Sequence, residues 1–99
     1  MSTSEPGHGA PNHVGPVLEA NDDALAVVTA IRQSNAGVVV ENRGSYLRVM
    51  VPGRCEVTCR AIESALGRPF RLPGDLEAMM PSFTGRLTVT EDKAVWAFR

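Results

Sequence analysis

Cysteines, histidines and paired acidic residues are the side chains of this sequence whose types and spacing could do chemistry. Cys55 and Cys59 lie four positions apart, whereas His8 and His13 lie far away in a segment rich in glycine and proline. A structural zinc site needs four ligands that the fold can bring together, and this spacing does not provide them. With no export signal at the N-terminus, a disulfide is also disfavoured, and we expect two reduced thiols.

Catalysis by these groups is poorly supported by their surroundings. Cys59 is predicted to begin a helix, where its thiolate would be somewhat activated, but no base is nearby. His13 could act as a base, yet a lone histidine in a polar arm is typically a solvated side chain. The acid pairs at residues 22–23 and 91–92 fit a first helical turn and a solvated turn better than acid–base chemistry, which needs an apolar site. No phosphate-binding loop, H-E-x-x-H spacing or G-x-S-x-G elbow occurs.

The composition predicts one small domain without a deep pocket. The chain has 99 residues, of which 43% are hydrophobic, and this is enough apolar material for a single core. Ten basic and eleven acidic side chains give a net charge of -1, with no basic block interleaved with aromatics, so nucleic acid is not expected as a partner. No apolar run is long enough to cross a membrane. We therefore expect a cytoplasmic protein that is monomeric when free.

The first half of the chain predicts a strand, a helix and a hairpin. Residues 1–13 are expected to form a flexible N-terminal arm, and residues 14–99 a single α+β domain. A strand is predicted at 14–19 and a helix at 22–33, which Asn21 caps and Asn35 helps to end. Strands at 38–42 and 46–51 would form a hairpin across the turn at 42–45, with one face of the second strand in the core. The apolar positions of the helix are Ala24, Val27, Val28 and Ile31.

The second half repeats this order with one irregular segment. A strand is predicted at 54–57, with Cys55 and Val57 on one face, followed by a helix that Thr58 caps and Gly67 ends. The expected buried stripe of this helix is Ile62, Ala65 and Leu66. Asp75 is predicted to cap one short turn whose shared face is Leu76, Met79 and Met80. A last hairpin is also predicted. Five of its side chains would face the core: Leu87, Val89, Ala94, Trp96 and Phe98. The predicted fold class is α+β, with helices on a largely antiparallel sheet.

Four short segments stand out for their combined order and spacing. They are NHVGPV at 12–17, VENRGSY at 40–46, LGRPF at 66–70 and SFTGR at 82–86. Together they resemble the effector proteins of the soluble diiron multicomponent monooxygenases, the bacterial group that oxidises methane, toluene, phenol and alkenes. The opening segment and the short arm are more similar to the toluene and alkene branch. The resemblance implies a fold of two βαββ-like halves, in agreement with the element order.

The resemblance also implies a function without catalytic residues, metal or other cofactor in this chain. Such an effector binds the diiron hydroxylase component. It modulates active-site geometry, the access of substrate and dioxygen, and the coupling of electron use to hydrocarbon oxidation. Sequence alone leaves open which hydrocarbon is oxidised.

The same resemblance marks candidate interface residues, each with an alternative. The family segment that approaches the hydroxylase corresponds to Ser82, Phe83, Thr84 and Gly85. Phe83 could be an interface anchor or a core residue, because aromatic side chains serve either role. The family region that becomes ordered on docking corresponds to Asn12, His13, Val14 and Gly15, although a plain disordered tail is the alternative. Two further candidates, which also have a simple role in stopping and covering a helix, are Arg68 and Phe70. Residues 72–74 depart from the family pattern.

Two rival functions remain at this stage. One is a generic interaction or adaptor module that uses an exposed sheet edge. The other is a small enzyme with Cys59 as nucleophile.

Overall fold

The computed structural model describes residues 12–98 and contains, within that range, seven strands and three helices. The predicted arm at 1–13 falls outside it except for its last two residues. The elements in chain order are β1 (His13–Glu19), α1 (Asp22–Ser34), β2 (Val39–Asn42), β3 (Tyr46–Pro52), β4 (Arg54–Thr58), α2 (Cys59–Leu66), α3 (Gly74–Met79), β5 (Ser82–Thr84), β6 (Arg86–Val89) and β7 (Lys93–Ala97).

The strands form two antiparallel sheets. The four-stranded sheet has the order β2-β3-β1-β5, and the three-stranded sheet has the order β4-β7-β6. The run β1-α1-β2-β3 and the run β4-α2-β6-β7 each follow βαββ order, with α3 and β5 inserted in the second. The predicted α+β fold class is therefore confirmed.

Side chains cap the two longer helices where the sequence indicated. The Asn21 side-chain oxygen accepts a hydrogen bond from the Ala24 amide at 2.8 Å, and the Thr58 hydroxyl accepts one from the Ala61 amide at 3.1 Å. Each bond satisfies an amide that the first helical turn leaves unpaired. Gly67 then ends α2 in the left-handed conformation, with φ 80°.

One core joins the two sheets and the helices. Trp96 of β7 is fully buried, and its indole N–H has no hydrogen-bond partner among residues 12–98. The sequence left open which of the two alternating faces of β3 is the core face, and the structure shows that Leu47, Val49 and Val51 form it. Other fully buried side chains come from both halves of the chain: Leu18, Val27, Ile31, Val57, Ile62 and Leu76.

Three expectations about local structure were wrong, and one strand was missed. Asp75 is not the cap of α3, because Pro73 holds that position and the Asp75 carboxylate accepts from the Arg71 amide at 2.8 Å. Ala65 is exposed, because the eight-residue α2 turns Ile62 rather than Ala65 to the core. Phe98 is 44% exposed, because it follows β7 at a point where the sheet has ended. The strand β5 was not predicted, because its three residues are all exposed and show no alternation.

The side chain of the residue that ends α1 binds the backbone of β4. Asn35, the residue after α1, donates from its amide nitrogen to the Ile31 and Glu56 carbonyls, both at 2.8 Å. Its side-chain oxygen accepts from the Glu56 amide at 3.0 Å. Since β4 is an outer strand, Asn35 occupies the place that another strand would take at Glu56.

Candidate partner-binding surface

The two candidate segments from opposite ends of the chain lie side by side. β5 pairs with β1 in a register that places Thr84 opposite Gly15 and Phe83 opposite Pro16. Ser82, Phe83 and Thr84 are all exposed. The strand pairing therefore brings the end of the first segment, at Gly15, beside Thr84 of the second.

Phe83 is a surface residue with 43% of its area exposed. It lies opposite Pro16, which is fully buried, so the ring projects from the rim of the core rather than filling it. The sequence left open whether Phe83 is an interface anchor or a core residue, and this position does not fit a core residue. A large apolar side chain that remains in water is suited to bind a partner.

Two glycines allow the backbones around this surface to approach closely. A Cβ on Gly15 would collide with the Val49 carbonyl of β3. A Cβ on Gly85 would lie 2.8 Å from the Ala97 carbonyl oxygen and 2.8 Å from Cγ1 of Val14, and the φ of Gly85 is +102°. Gly85 is thus where the chain passes from the four-stranded to the three-stranded sheet.

The remaining residues of the first segment belong to the sheet. The Asn12 carbonyl accepts from the Gly53 amide at 2.9 Å, and His13 pairs with Pro52. Val14 is only 1% exposed, so its side chain supports the surface from below.

Arg68 and Phe70 lie apart from the β1–β5 pairing. Arg68 forms a 2.5 Å ion pair with Asp23 in the first turn of α1. Phe70 is 3% exposed, and its amide donates to the Glu63 carboxylate at 2.9 Å. Both side chains therefore hold the end of α2 in place. A bridge between α1 and α2 is a role that sequence patterns did not reveal for Arg68, since its partner is 45 residues away.

The thiols are not arranged as nucleophiles. Desolvation by burial raises the pKa of Cys55 to about 12. Burial, together with the nearby carboxylates of Glu63 and Asp92, also raises the pKa of Cys59. The expectation of an activated thiolate at the start of α2 was wrong, because burial and the neighbouring carboxylates disfavour the charged form. A higher pKa leaves less thiolate at neutral pH. This argues against the hypothesis of a small enzyme with Cys59 as its nucleophile.

The described part of the chain also has no cluster of metal ligands and no helix that could span a membrane. Within residues 12–98, no group of three or more His, Cys, Asp or Glu side chains could hold a metal ion. None of the helices in this range is long and apolar enough to span a bilayer.

Comparison with known proteins assigns the chain to a family. The model of the MmoB/DmpM family matches residues 12–97. The chain belongs to this family. The described fold is thus the MmoB/DmpM fold, and the resemblance inferred from four sequence segments is confirmed.

Named members place the chain near the alkene branch. The effector subunit of the alkene monooxygenase system of Xanthobacter autotrophicus (strain ATCC BAA-1158 / Py2) is 41% identical over 90 residues, which cover 89% of this chain and 88% of that protein. The soluble methane monooxygenase regulatory protein B is 25% identical, with a TM-score of 0.68, covering 97% of this chain and 71% of that one. A phenol hydroxylase–regulatory protein complex contains a chain with a TM-score of 0.76 at 17% identity, covering 88% of this chain and 98% of that chain, and this match shows the fold. The names of the alkene and methane relatives describe effector or regulatory components.

Proposed function

We propose that this protein is the effector of a diiron multicomponent monooxygenase and binds the hydroxylase component of that system. The observation that carries the proposal is membership of the MmoB/DmpM family together with 41% identity to an alkene monooxygenase effector subunit. In this role the protein is regulatory, needs no cofactor of its own and acts in the cytoplasm as a monomer when free. We place its single domain from β1, which begins at His13, onward.

The docking surface proposed for the hydroxylase is centred on β5 and the start of β1. The support is the exposed ring of Phe83, the exposed Ser82 and Thr84 beside it, and the direct pairing of β5 with β1. A half-exposed aromatic among small polar residues is a typical hot-spot arrangement.

Regulation follows from preferential binding to one state of the hydroxylase. A partner that binds one conformation more tightly must shift the population toward it, by no more than the difference in affinity. A difference of about 3 kcal/mol changes the ratio of two states more than a hundredfold. Such a shift can alter active-site geometry, substrate and dioxygen access, and the coupling of electron use to hydrocarbon oxidation.

The test combines turnover with one matched pair of variants. Adding the protein to its cognate hydroxylase and reductase should change steady-state hydrocarbon oxidation and the ratio of product formed to electrons consumed. Phe83→Ala should weaken hydroxylase binding by about 2 kcal/mol or more, because the anchor is lost. Its melting temperature should fall far less than for a buried phenylalanine, whose truncation costs about 3 to 5 kcal/mol. Tyr46→Ala is the control, because Tyr46 is 40% exposed and pairs with the other end of β1.

Each part of the proposal has its own contrary result. Unchanged turnover and electron use with the wild-type protein would contradict the effector function. Normal binding by a folded Phe83→Ala variant would leave that function standing and move the interface to another face.

A further inference from the structure

β5 and β6 together form one edge that crosses both sheets. β5 is the outer strand of the four-stranded sheet, β6 is the outer strand of the three-stranded sheet, and only Gly85 separates them. We call residues 82–89 the open edge.

The backbone of Phe83 faces away from the sheet. Antiparallel strands alternate hydrogen-bonded and non-hydrogen-bonded residue pairs. Pro16 lies opposite Phe83 and has no N–H to donate, which makes this a non-hydrogen-bonded pair. The N–H and C=O of Phe83 therefore point outward, while the residues on either side of it bond to β1.

The same alternation applies along β6. The Thr90 amide donates to the Lys93 carbonyl at 2.9 Å and closes the last hairpin. Counting back in steps of two, Thr88 and Arg86 bond to β7, and the backbones of Leu87 and Val89 face outward. In residues 12–98 no hydrogen-bond partner serves the outward groups at 83, 87 and 89.

The side chains of the open edge separate into an apolar and a polar set. Leu87 and Val89 are half-buried against the core, and Phe83 is exposed. The intervening residues are exposed, and Arg86 is the one ionisable side chain among them. Within the described residues, Arg86 has no ion-pair partner. A strand lying alongside would therefore meet alternating apolar contacts and one uncompensated positive charge.

We propose that the open edge binds an extended, carboxylate-bearing segment of the hydroxylase as an added β-strand. This rests on the proposed function and specifies how docking occurs. Main-chain hydrogen bonds at 83, 87 and 89 supply affinity, as in other strand-addition complexes. The ring of Phe83 and a carboxylate near Arg86 supply selectivity. The sheet-edge adaptor considered from sequence thus becomes the binding mode of the effector.

A second copy of the chain is a poorer occupant of the open edge. Two copies that pair antiparallel over the whole of residues 83–89 must place Arg86 opposite Arg86. Like charges directly opposite each other destabilise a strand pair. Complementary charge favours the acidic segment instead.

The decisive variant blocks the outward backbone and has a matched control. Leu87→Pro and Leu87→Ala both remove the leucine side chain, but only proline also removes the outward N–H and adds ring atoms on the open side. Because that N–H is not part of the β6–β7 ladder, the fold should tolerate the change better than at Thr88. We expect Leu87→Pro to bind the hydroxylase at least about tenfold more weakly than Leu87→Ala. Equal binding by the two folded variants would overturn strand addition.

A measurement on the unmodified protein covers the case in which Leu87→Pro fails to fold. Hydrogen exchange at the amides of Phe83, Leu87 and Val89 should slow at least about tenfold in the hydroxylase complex, since added-strand bonds protect them. The Thr88 amide, already bonded to β7, is the internal reference. Unchanged exchange at the three outward amides, in a complex that stimulates turnover, would reject this mode while leaving the effector function intact.

The charge and the alternative occupant are tested separately. Arg86→Glu should reduce hydroxylase binding severalfold and weaken its salt dependence, whereas Arg60→Glu on the exposed side of α2 should not. An Arg86→Glu variant that binds as tightly as wild type would overturn the acidic segment. Sedimentation of the free wild-type protein as a dimer that Leu87→Pro dissociates would assign the edge to a second copy instead.

Discussion

The two outer strands of the three-stranded sheet present their backbones in different ways. On β4, the amide and carbonyl of Glu56 are bonded by the Asn35 side chain. On β6, the backbones of Leu87 and Val89 face outward without a partner among the described residues. Unpaired edges invite association with other chains, and proteins commonly cover them. Covering one edge and leaving its counterpart open indicates that the open one is kept for binding.

The neighbourhoods of the two edges support this division. β4 packs against α1, α2 and β7, so its edge is part of the packed structure of the domain. The open edge has exposed residues along β5 and continues past Gly85 into β6. The β4 edge should therefore matter for stability, and the open edge for docking.

The largest effect on stability is expected where the open edge bends. Gly85→Ala should destabilise the protein by about 3 kcal/mol, because a Cβ there meets backbone and the φ of +102° is strained for alanine. Urea unfolding measures the change. Gly44→Ala is the control, since Gly44 has φ +85° but no atom within 4 Å of the added Cβ, and only the backbone cost of about 1 kcal/mol remains. Equal losses in the two variants would show that close packing at Gly85 adds nothing.

The next effect tests the covered edge. Asn35→Ala should cost about 2 kcal/mol, because three partly buried hydrogen bonds are lost and the Glu56 backbone is left unpaired. Thermal unfolding would measure it. Asn42→Ala is matched in chemistry but loses one bond in an exposed turn, so its cost should stay below about 1 kcal/mol. If Asn35→Ala is no worse than Asn42→Ala, the contrast between the two edges does not lie in this side chain.

Sequence patterns predicted the elements whose signals are local. The caps Asn21 and Thr58, the helix end at Gly67 and the alternation on β3 are determined by residues within one or two turns. Their positions followed from hydrogen-bonding capacity and periodicity alone. The approximate extent of α1 and of the last hairpin was predicted for the same reason.

Features that depend on distant pairing were not predictable in this way. The binding of Asn35 to Glu56 spans 21 residues, and sequence reasoning gave Asn35 only a role in ending a helix. The exposure of Phe83 depends on β5 being an outer strand beside β1, which no pattern within three exposed residues can indicate. The family resemblance found the segment, but the sheet order is what separates an edge residue from a core residue.

The smallest effect concerns the charges on the covered edge. The side-chain hydrogen bonds from Arg54 and Lys93 lower the pKa of Glu56 below its usual value of 4.5. The folded protein then holds fewer protons on Glu56 than the unfolded chain as the pH falls past that value. The stabilisation is therefore present above about pH 4.5 and is lost as the pH falls through the lowered pKa.

Replacing Glu56 by Gln separates the contribution of these ion pairs to stability from the contribution of the Asn35 hydrogen bonds. Partly exposed ion pairs contribute little, so Glu56→Gln should cost less than about 1 kcal/mol at neutral pH, and less than Asn35→Ala. The difference in unfolding free energy between wild type and Glu56→Gln should shrink as the solution is acidified through the lowered pKa, because protonation removes the same charge. Urea unfolding at a series of pH values measures this difference, and carbon-detected NMR of the Glu56 carboxyl follows its titration. A loss as large as that of Asn35→Ala, with the same acid dependence, would mean that charge rather than the Asn35 amide protects the β4 edge. The distinction between a covered and an open edge would then vary with pH and salt.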